Sequence, residues 1–304
     1  MNYRTLGKTN LEVSEIGLGT SYFGLMDERL IKKIFNIVEM NGINLLDTAE
    51  LYGNGLSERL IGRFLNNRID DMTIVTKVNA NFDSGQHREN YIIPDLRNKI
   101  VGSVERLNTD SIDILLLHTP PTTTSQFKRI VALMSEFKKE GIVKFWGISA
   151  TTPDEVLPFP SFANSIDVIE MTYNIIYQEP RISLFEKLKS FGIGIIAKEV
   201  LHKGALTGIA LDHLSLLSQS LHKLQPKFFE EILNDIKGYM GSEFRREYLL
   251  RYALGFVLSD TSIHTALVGT SSPLHLLECI NAYKERPYDP DFYERFRSWY
   301  QWQS

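Results

Sequence analysis

Cysteine is nearly missing from this chain of 304 residues: Cys279 is the one thiol. No intrachain disulfide and no cysteine-based zinc site can form from it. Its expected place is that of a small buried hydrophobe. Long apolar stretches are missing as well. No run of 18 apolar residues occurs, so no membrane-spanning helix is expected. The opening residues Met1–Asn10 do not resemble a secretory leader, and the expected compartment is a reducing cytoplasm. A strong charge of either sign is also lacking: 33 Lys and Arg against 37 Asp and Glu leave −4. Without a basic field to neutralise phosphates, a nucleic-acid partner is not expected. With 43% hydrophobic and 23% charged residues, the chain is neither disordered nor collagen-like.

No long Pro/Gly/Ser linker divides the sequence, and residues 1–304 are expected to form one domain. What recurs is a short apolar run followed by an amphipathic stretch with helical spacing. The runs are Glu15–Gly19, Ile43–Asp47, Met72–Lys77, Ile112–His118, Val143–Ser149, Asp167–Met171, Gly194–Lys198 and Thr265–Gly269. Several are continuously apolar, as strands buried on both faces should be. Helices are expected around Leu30–Val38 and over Leu56–Leu65, Ile92–Leu107, Gln126–Lys139, Ile182–Ser190, Phe244–Leu258 and Pro273–Tyr283. The Pro-rich linker Thr151–Ser165 reads as a poor helix. Strand alternating with helix implies parallel pairing, and eight units imply a closed (β/α)₈ TIM barrel. An open dinucleotide-binding sheet would need G-x-G-x-x-G after its first strand. Gly17 and Gly19 supply two glycines, but Tyr22 stands where the third belongs.

Three segments lie outside the repeat. Asn2–Val13, with Gly7 and Asn10 at its centre, is expected to be a hairpin closing the lower end of the barrel. Leu201–Glu243 is a long insertion after the seventh strand, with helical patterns at Leu214–Leu224 and Pro226–Tyr239. That position puts it on the catalytic face of a barrel, as a lid, a binding loop or a passive insertion. Near the end, Phe292, Tyr293, Phe296, Trp299 and Tyr300 form one aromatic helical face, which is expected to pack on the barrel wall or to line the substrate pocket.

Barrel enzymes place their chemistry at the carboxyl ends of the strands. The polar residues there are Thr20, Asp47, Lys77, His118, Ser149, Tyr173 with Asn174, Lys198 with Glu199, and Thr270. Ionisable groups at the ends of buried strands are costly unless paired, so Asp47, Lys77 and His118 are expected to converge. Tyr52, five residues past Asp47, adds a phenol. A lysine cation nearby would lower the tyrosine pKa from its ordinary value near 10. Asp47 would keep Lys77 charged and oriented, and a neutral His118 would polarise a carbonyl. The set has an acid and an electrophilic helper but no nucleophile. His87, His202, His264 and His275 are scattered, and no metal site is assigned. Such a site suits proton-coupled hydride transfer with a cofactor supplying the electrons.

At these residues the sequence resembles the aldo-keto reductase family. The match runs through Leu46-Asp47-Thr48-Ala49-Glu50-Leu51-Tyr52-Gly53, then Gly55, Ser57-Glu58 and Gly62. Tyr3-Arg4-Thr5-Leu6-Gly7, Gly17-Leu18-Gly19-Thr20, Thr76-Lys77 and Asp113–His118 extend it, from about Tyr3 to Tyr283. The resemblance implies a catalytic tetrad of Asp47, Tyr52, Lys77 and His118, with Tyr52 as proton donor. It implies NADPH, with NADH possible, and a small carbonyl substrate. The cofactor wall would comprise Gly19, Thr20, Asp47, Ser149, Glu170, Lys198, Gly269, Thr270, Ser271, His275 and Glu278. Several positions depart from the family pattern. Ala150 stands for Asn, Glu170 for Gln, Lys198 for a stacking Tyr, Gly269 for Lys, His275 for Arg and Cys279 for Asn. The functional expectation is an NAD(P)H-dependent reductase of aldehydes or ketones. The alternatives are a nucleotide-binding regulatory barrel akin to the potassium-channel β subunits, and a sugar or secondary-metabolite ketoreductase.

Overall fold

All eight apolar runs become parallel strands, and they close on one another. In the computed structural model the barrel strands are β3 (Ile16–Gly19), β4 (Leu45–Asp47), β5 (Thr73–Val78), β8 (Ile112–Leu117), β9 (Val143–Ala150), β10 (Val168–Thr172), β11 (Gly194–Lys198) and β12 (Thr265–Gly269), paired in that order with β12 returning to β3. The structure describes residues 1–304 apart from 84–87, 157–161, 208–232, 240, 244–245, 288 and 304.

The connecting helices bury one face each, as their spacing demands. Helix α1 (Glu28–Met40) starts at Asp27, whose carboxylate accepts the Arg29 N–H at 2.8 Å, and buries Ile31, Ile34, Phe35 and Val38. Next come α2 (Leu56–Leu65), α3 (Ile93–Leu107) and α4 (Thr124–Lys139). After β10 the helical segment begins with a π-turn, Arg181–Phe185, and ends as Glu186–Ser190. Later helices span Arg246–Leu258 and Pro273–Lys284. The linker before β10 holds only a 3₁₀ turn, Pro153–Glu155, and a single helical turn, Phe162–Ser165.

The expected amino-terminal hairpin is β1 (Tyr3–Thr5) with β2 (Glu12–Ser14), antiparallel. It plugs the lower end of the barrel. Leu6 and Val13 are fully buried and pack with Leu45, Val75, Ile114, Leu116, Val168, Ile196 and Leu267, the inward residues of six strands. Gly7 adopts φ +53°, and a Cβ there would come within 2.4 Å of the Gly192 carbonyl oxygen, so only glycine lets the hairpin seat on the start of β11. Glu15 locks this end. Its carboxylate accepts from Arg4 Nε, the Tyr283 hydroxyl and Arg286 Nη2, each at 2.8 Å. Burial opposes its charge, but the Tyr283 hydrogen bond and the two guanidiniums hold Glu15 below the ordinary carboxylate range.

A second hairpin, β6 (Asn81–Asp83) with β7 (Arg88–Asn90), follows β5 and was not expected. Its strands are too short and polar to show alternation. In the long insertion, His202–Thr207 forms 3₁₀ turns and residues 233–239 are helical. The pattern at Leu214–Leu224 lies outside the described residues. The last helix, Pro290–Gln303, buries Phe292, Tyr293 and Phe296, with the Phe292 ring 4.3 Å from Tyr252 and Tyr293 6.3 Å from Phe256. Phe292 and Tyr293 thus pack on the outer helix Arg246–Leu258, with the Phe296 ring 4.6 Å from Phe292; the Trp299 and Tyr300 side chains lie outside the described residues. No helix among the described residues is long and apolar enough to cross a membrane.

Candidate active site

Strand residues alternate between faces, so the residue two positions beyond an inward one also points inward. Two beyond Leu45, Val75, Leu116, Val168, Ile196 and Leu267 stand Asp47, Lys77, His118, Glu170, Lys198 and Gly269. On the remaining strands, Gly19 follows Gly17 and Ser149 follows Gly147. The apolar plug is therefore capped, at the carboxyl mouth, by a ring in which Asp47, Lys77, His118, Ser149 and Lys198 were expected as polar strand ends and Gly19, Glu170 and Gly269 through the resemblance; Tyr173, expected at the end of β10, is instead buried against Phe185 and Phe256. Gly17 and Gly147 make room in the layer below. A Cβ at Gly17 would come within 2.7 Å of Leu45, and one at Gly147 within 1.7 Å of the Val168 carbonyl oxygen.

Lys77 is the centre of this ring and has no exposed surface. Its ammonium donates to the Asp47 carboxylate and to the Thr48 carbonyl at 3.2 Å, and lies 3.3 Å from Glu170 Oε2. Burial works against its charge. The Asp47 and Glu170 carboxylates outweigh that cost and hold its pKa above the ordinary lysine value. Asp47 and Glu170 then compete. Burial and the Glu170 charge raise Asp47 well above the usual carboxylate range. Glu170, although buried, is pulled down to about 2 by Lys77 and then Lys198.

Tyr52 reaches the ring from the β4–α2 loop. Gly53, next in line, has φ +61°, and a Cβ on the facing Gly24 would lie 2.7 Å from its Cα, so the turn is tight against its neighbour. The Tyr52 and His118 rings meet edge to face, with centroids 5.9 Å apart, and Lys77 Nζ sits 5.4 Å from the Tyr52 ring centre. Burial pushes Tyr52 up to about 12; Lys77 opposes this, but the Asp47 and Glu170 charges reinforce it. The lysine alone would have lowered the phenol, as the sequence suggested. It stands between two carboxylates, which spend its field. His118 is pushed down to about 4 by burial and then by Lys77, so its imidazole is neutral at physiological pH. Its Nδ1 is buried with no hydrogen-bond partner among the described residues.

Outside the ring, hydroxyls and one ion pair hold its supports. Thr20 donates to the Asp47 carbonyl at 2.9 Å and shares a 2.8 Å hydrogen bond with Ser57, to which the Thr48 hydroxyl also donates at 2.9 Å. Thr76, next to Lys77, donates to buried Glu58 at 2.6 Å, and Arg106 donates to the other Glu58 oxygen at 2.6 Å. These links pin β3, β4 and β5 to α2 and α3. They explain Ser57 and Glu58 in the motif, whose roles the sequence did not reveal.

The mouth opens into a cleft of about 770 Å³, a size suited to a small molecule with a cofactor portion. Its wall includes Gly19, Asp47, Tyr52, His118, Glu170, Lys198, Gly269, Thr270, Ser271, His275 and Glu278. Two expected cofactor contacts do not reach it directly. Thr20 is buried behind Asp47, and Ser149 lies under Lys198, which donates to its hydroxyl at 2.7 Å. Tyr22, Leu201, Lys203 and Thr207 also line the cleft. The last three open the insertion Leu201–Glu243, which was expected on this face; Tyr22 carries no signal as a wall residue, because loop residues have no period. Among the described residues no group of three His, Cys, Asp or Glu could hold a metal.

The model of the Aldo/keto reductase family matches residues 15–301. The chain belongs to the aldo/keto reductase family. Relatives agree along nearly its whole length. It is 28% identical over 298 residues to the "Uncharacterized oxidoreductase YqkF" of Bacillus subtilis (strain 168), covering 94% of this chain and 92% of that one. It is 24% identical over 309 residues to a "Probable voltage-gated potassium channel subunit beta" of Oryza sativa subsp. japonica, covering 93% and 91%. Among solved structures, aldo-keto reductase AKR11C1 from Bacillus halodurans in its holo form aligns with TM-score 0.76 and 26% identity, over 98% of this chain and 96% of that chain. As an aldo/keto reductase the chain is an oxidoreductase on a (β/α)₈ barrel.

Proposed function

We propose that this aldo/keto reductase reduces an aldehyde or ketone to the alcohol with a nicotinamide dinucleotide, Tyr52 donating the proton. One observation carries the reading: a phenol and an imidazole stand together beside a buried ammonium, and both face a cleft large enough for substrate and cofactor.

The cleft fits the cofactor on its own features. Gly19 and Gly269 face each other across neighbouring strands, and a Cβ on Gly19 would have no atom outside its chain neighbours nearer than 3.7 Å, so side chains there would fill space now open. The 12-residue helix Pro273–Lys284 points its first turn at the same end of the cleft, with Thr270 and Ser271 ahead of it. Such a helix start favours phosphate. Gly19, Gly269, Thr270 and Ser271 would hold the phosphates, and His275 and Glu278 would meet the adenosine end. Glu170 would accept from the carboxamide, with Ser149 behind it and Lys198 beside it at the cleft wall. When bound, the dinucleotide supplies the hydride.

The chain's own residues supply the proton and the electrostatics. His118, neutral above about pH 4, can donate an N–H to a carbonyl oxygen. Tyr52, protonated up to about pH 12, can donate its O–H to the same oxygen. As negative charge gathers there, both donors strengthen without moving, which is the main source of such catalysis. An alkoxide is a stronger base than a phenolate, so the Tyr52 proton transfers downhill even from this raised pKa. Lys77 then faces the tyrosinate, with Asp47 holding the ammonium in place.

NADPH remains the expected reductant by resemblance, with NADH close behind, because His275 is the sole basic residue among described cleft residues 269–279. The experiment is single-turnover mixing of protein loaded with NADPH or NADH against an aromatic aldehyde. Oxidation of the bound cofactor is expected. A stable reduced cofactor with every aldehyde and ketone tried would instead favour the regulatory barrel.

A further inference from the structure

Glu170 occupies a place where a neutral residue would be enough to meet a cofactor amide. Its surroundings do something more. On β10 it lies in register with Ser149 on β9 and Ile196 on β11. Its Oε1 accepts from the Ser149 hydroxyl at 2.9 Å and lies 3.8 Å from Lys198 Nζ. Its Oε2 faces inward, 3.3 Å from the ammonium of Lys77. Lys198 in turn donates to Ser149 at 2.7 Å and borders the cleft, whereas Lys77 does not. The mouth therefore holds an ordered row of charge running Asp47, Lys77, Glu170, Lys198, with alternating sign.

We propose that Glu170 is a positioning residue for the proton transfer: a second carboxylate on Lys77 that, with Lys198 as its counter-charge, sets the acidity of Tyr52. The inference rests on Tyr52 being the proton donor. An ammonium has three donors, and here it donates to Asp47 and Thr48 while pairing with Glu170. With Asp47 alone the core beneath Tyr52 would be a neutral pair. At the alkaline pH where Tyr52 titrates, Glu170 adds a second carboxylate that makes the core net negative and disfavours a phenolate, and Lys198 returns it toward balance. The groups facing Glu170 are Asp47 from β4, Lys77 from β5, His118 at the end of β8, Ser149 from β9 and Lys198 from β11. Those facing Tyr52 are His118, Lys77, Asp47 and Glu170. β3 and β12 contribute only Gly19 and Gly269 to the ring. Removing the Glu170 charge must make the phenol more acidic. Removing Lys198 must make it less so.

The test is the titration of Tyr52 itself, followed by NMR of protein labelled at the tyrosine Cζ carbons, with the Tyr52 signal assigned by its loss in Tyr52→Phe. In Glu170→Gln the Tyr52 titration should move down by about one unit or more, a tenfold change in acidity. Adding Lys198→Met to that variant should move it back up. The alkaline limb of kcat/KM should move in the same directions, which loss of packing alone would not produce. An unmoved Tyr52 titration in folded Glu170→Gln overturns the proposal, as does a Lys198→Met shift in the downward direction. If Glu170→Gln does not fold, Glu170→Asp withdraws the carboxylate by one methylene and should give a smaller downward shift. The two readings fail separately. Turnover that survives Tyr52→Phe removes the proton donor. A Tyr52 essential for turnover but blind to Glu170 removes only this inference.

Discussion

Two clusters of buried charge sit at opposite ends of one barrel, and they differ in what they leave over. At the lower end Glu15 receives Asn2, Arg4, Tyr283 and Arg286, so both carboxylate oxygens are occupied by protein donors. At the upper end Asp47, Lys77, Glu170 and Lys198 pair as tightly, yet His118 Nδ1 has no hydrogen-bond partner among the described residues, beside a cleft of about 770 Å³. Both ends hold a carboxylate below its ordinary pKa. Perturbed acidity is therefore no mark of function here. Unused hydrogen-bonding capacity next to a cavity is the better sign, because buried polar atoms are otherwise satisfied.

The contrast can be broken most sharply at the upper end. Tyr52→Phe removes the proposed donor and should lower kcat by about 10²–10⁴-fold, while tryptophan-fluorescence titration shows unchanged cofactor affinity. Turnover close to wild type in that variant would take Tyr52 out of the mechanism. The complementary lesion, Glu15→Gln, should cost about 2 kcal/mol of stability in urea unfolding. This is less than for a fully buried pair because both arginines are partly solvated. Its kcat/KM per folded molecule should match wild type. A comparable loss of activity would mean that the plug communicates with the mouth.

The pH dependence sharpens the same division. His118 must be neutral and Tyr52 protonated in the free enzyme, so kcat/KM for reduction should be level through neutral pH. It should fall on the acid side as His118 gains its proton near pH 4, and on the alkaline side only as Tyr52 loses its own near 12. A fall centred near pH 6.5, the ordinary histidine value, would show that His118 is not desolvated as the structure has it. At the lower end the sign follows from a depressed carboxylate. The stabilisation from Glu15 is complete above its ordinary value of 4.5 and is lost as pH falls below it. Glu15→Gln should remove that part of the acid sensitivity of unfolding. The smallest effect expected is on cofactor choice. With only His275 as a basic residue among described cleft positions 269–279, the dissociation constants for NADPH and NADH should differ by less than about tenfold, or 1.4 kcal/mol. A larger preference for NADPH would require a cation from elsewhere in the chain.

Much of this was legible in advance. The run Leu56–Leu65 is a helix with those bounds, and Gly194–Lys198 and Thr265–Gly269 are strands with theirs. Apolar periodicity marks such elements because burial on fixed faces demands it. The polar residue that breaks each run marks the mouth, since a charge at the end of a buried strand must have company. Less visible were features that depend on distant neighbours. The hairpin β6–β7 has no alternating pattern. Thr76, Glu58 and Arg106 are far apart in sequence and meet only because β5 lies against α2 and α3. The sequence points to a lowered Tyr52 because it shows Lys77 beside Asp47 but neither the burial of the phenol, which raises it most, nor a second carboxylate. That second carboxylate is Glu170, on a strand separated from β5 by β8 and β9 on the shorter way round the barrel.

The sequence by itself determined the barrel, its order of strands, and that Asp47, Lys77, His118 and Lys198 would meet at its carboxyl end. Each follows from local period and from the rule that parallel neighbours need helical crossovers. The tertiary structure decided how those residues share charge: which carboxylate faces which ammonium, and how much water remains. Those quantities depend on distances of a few ångströms across the closed barrel and on burial. Neither distance nor burial is a property of any one segment.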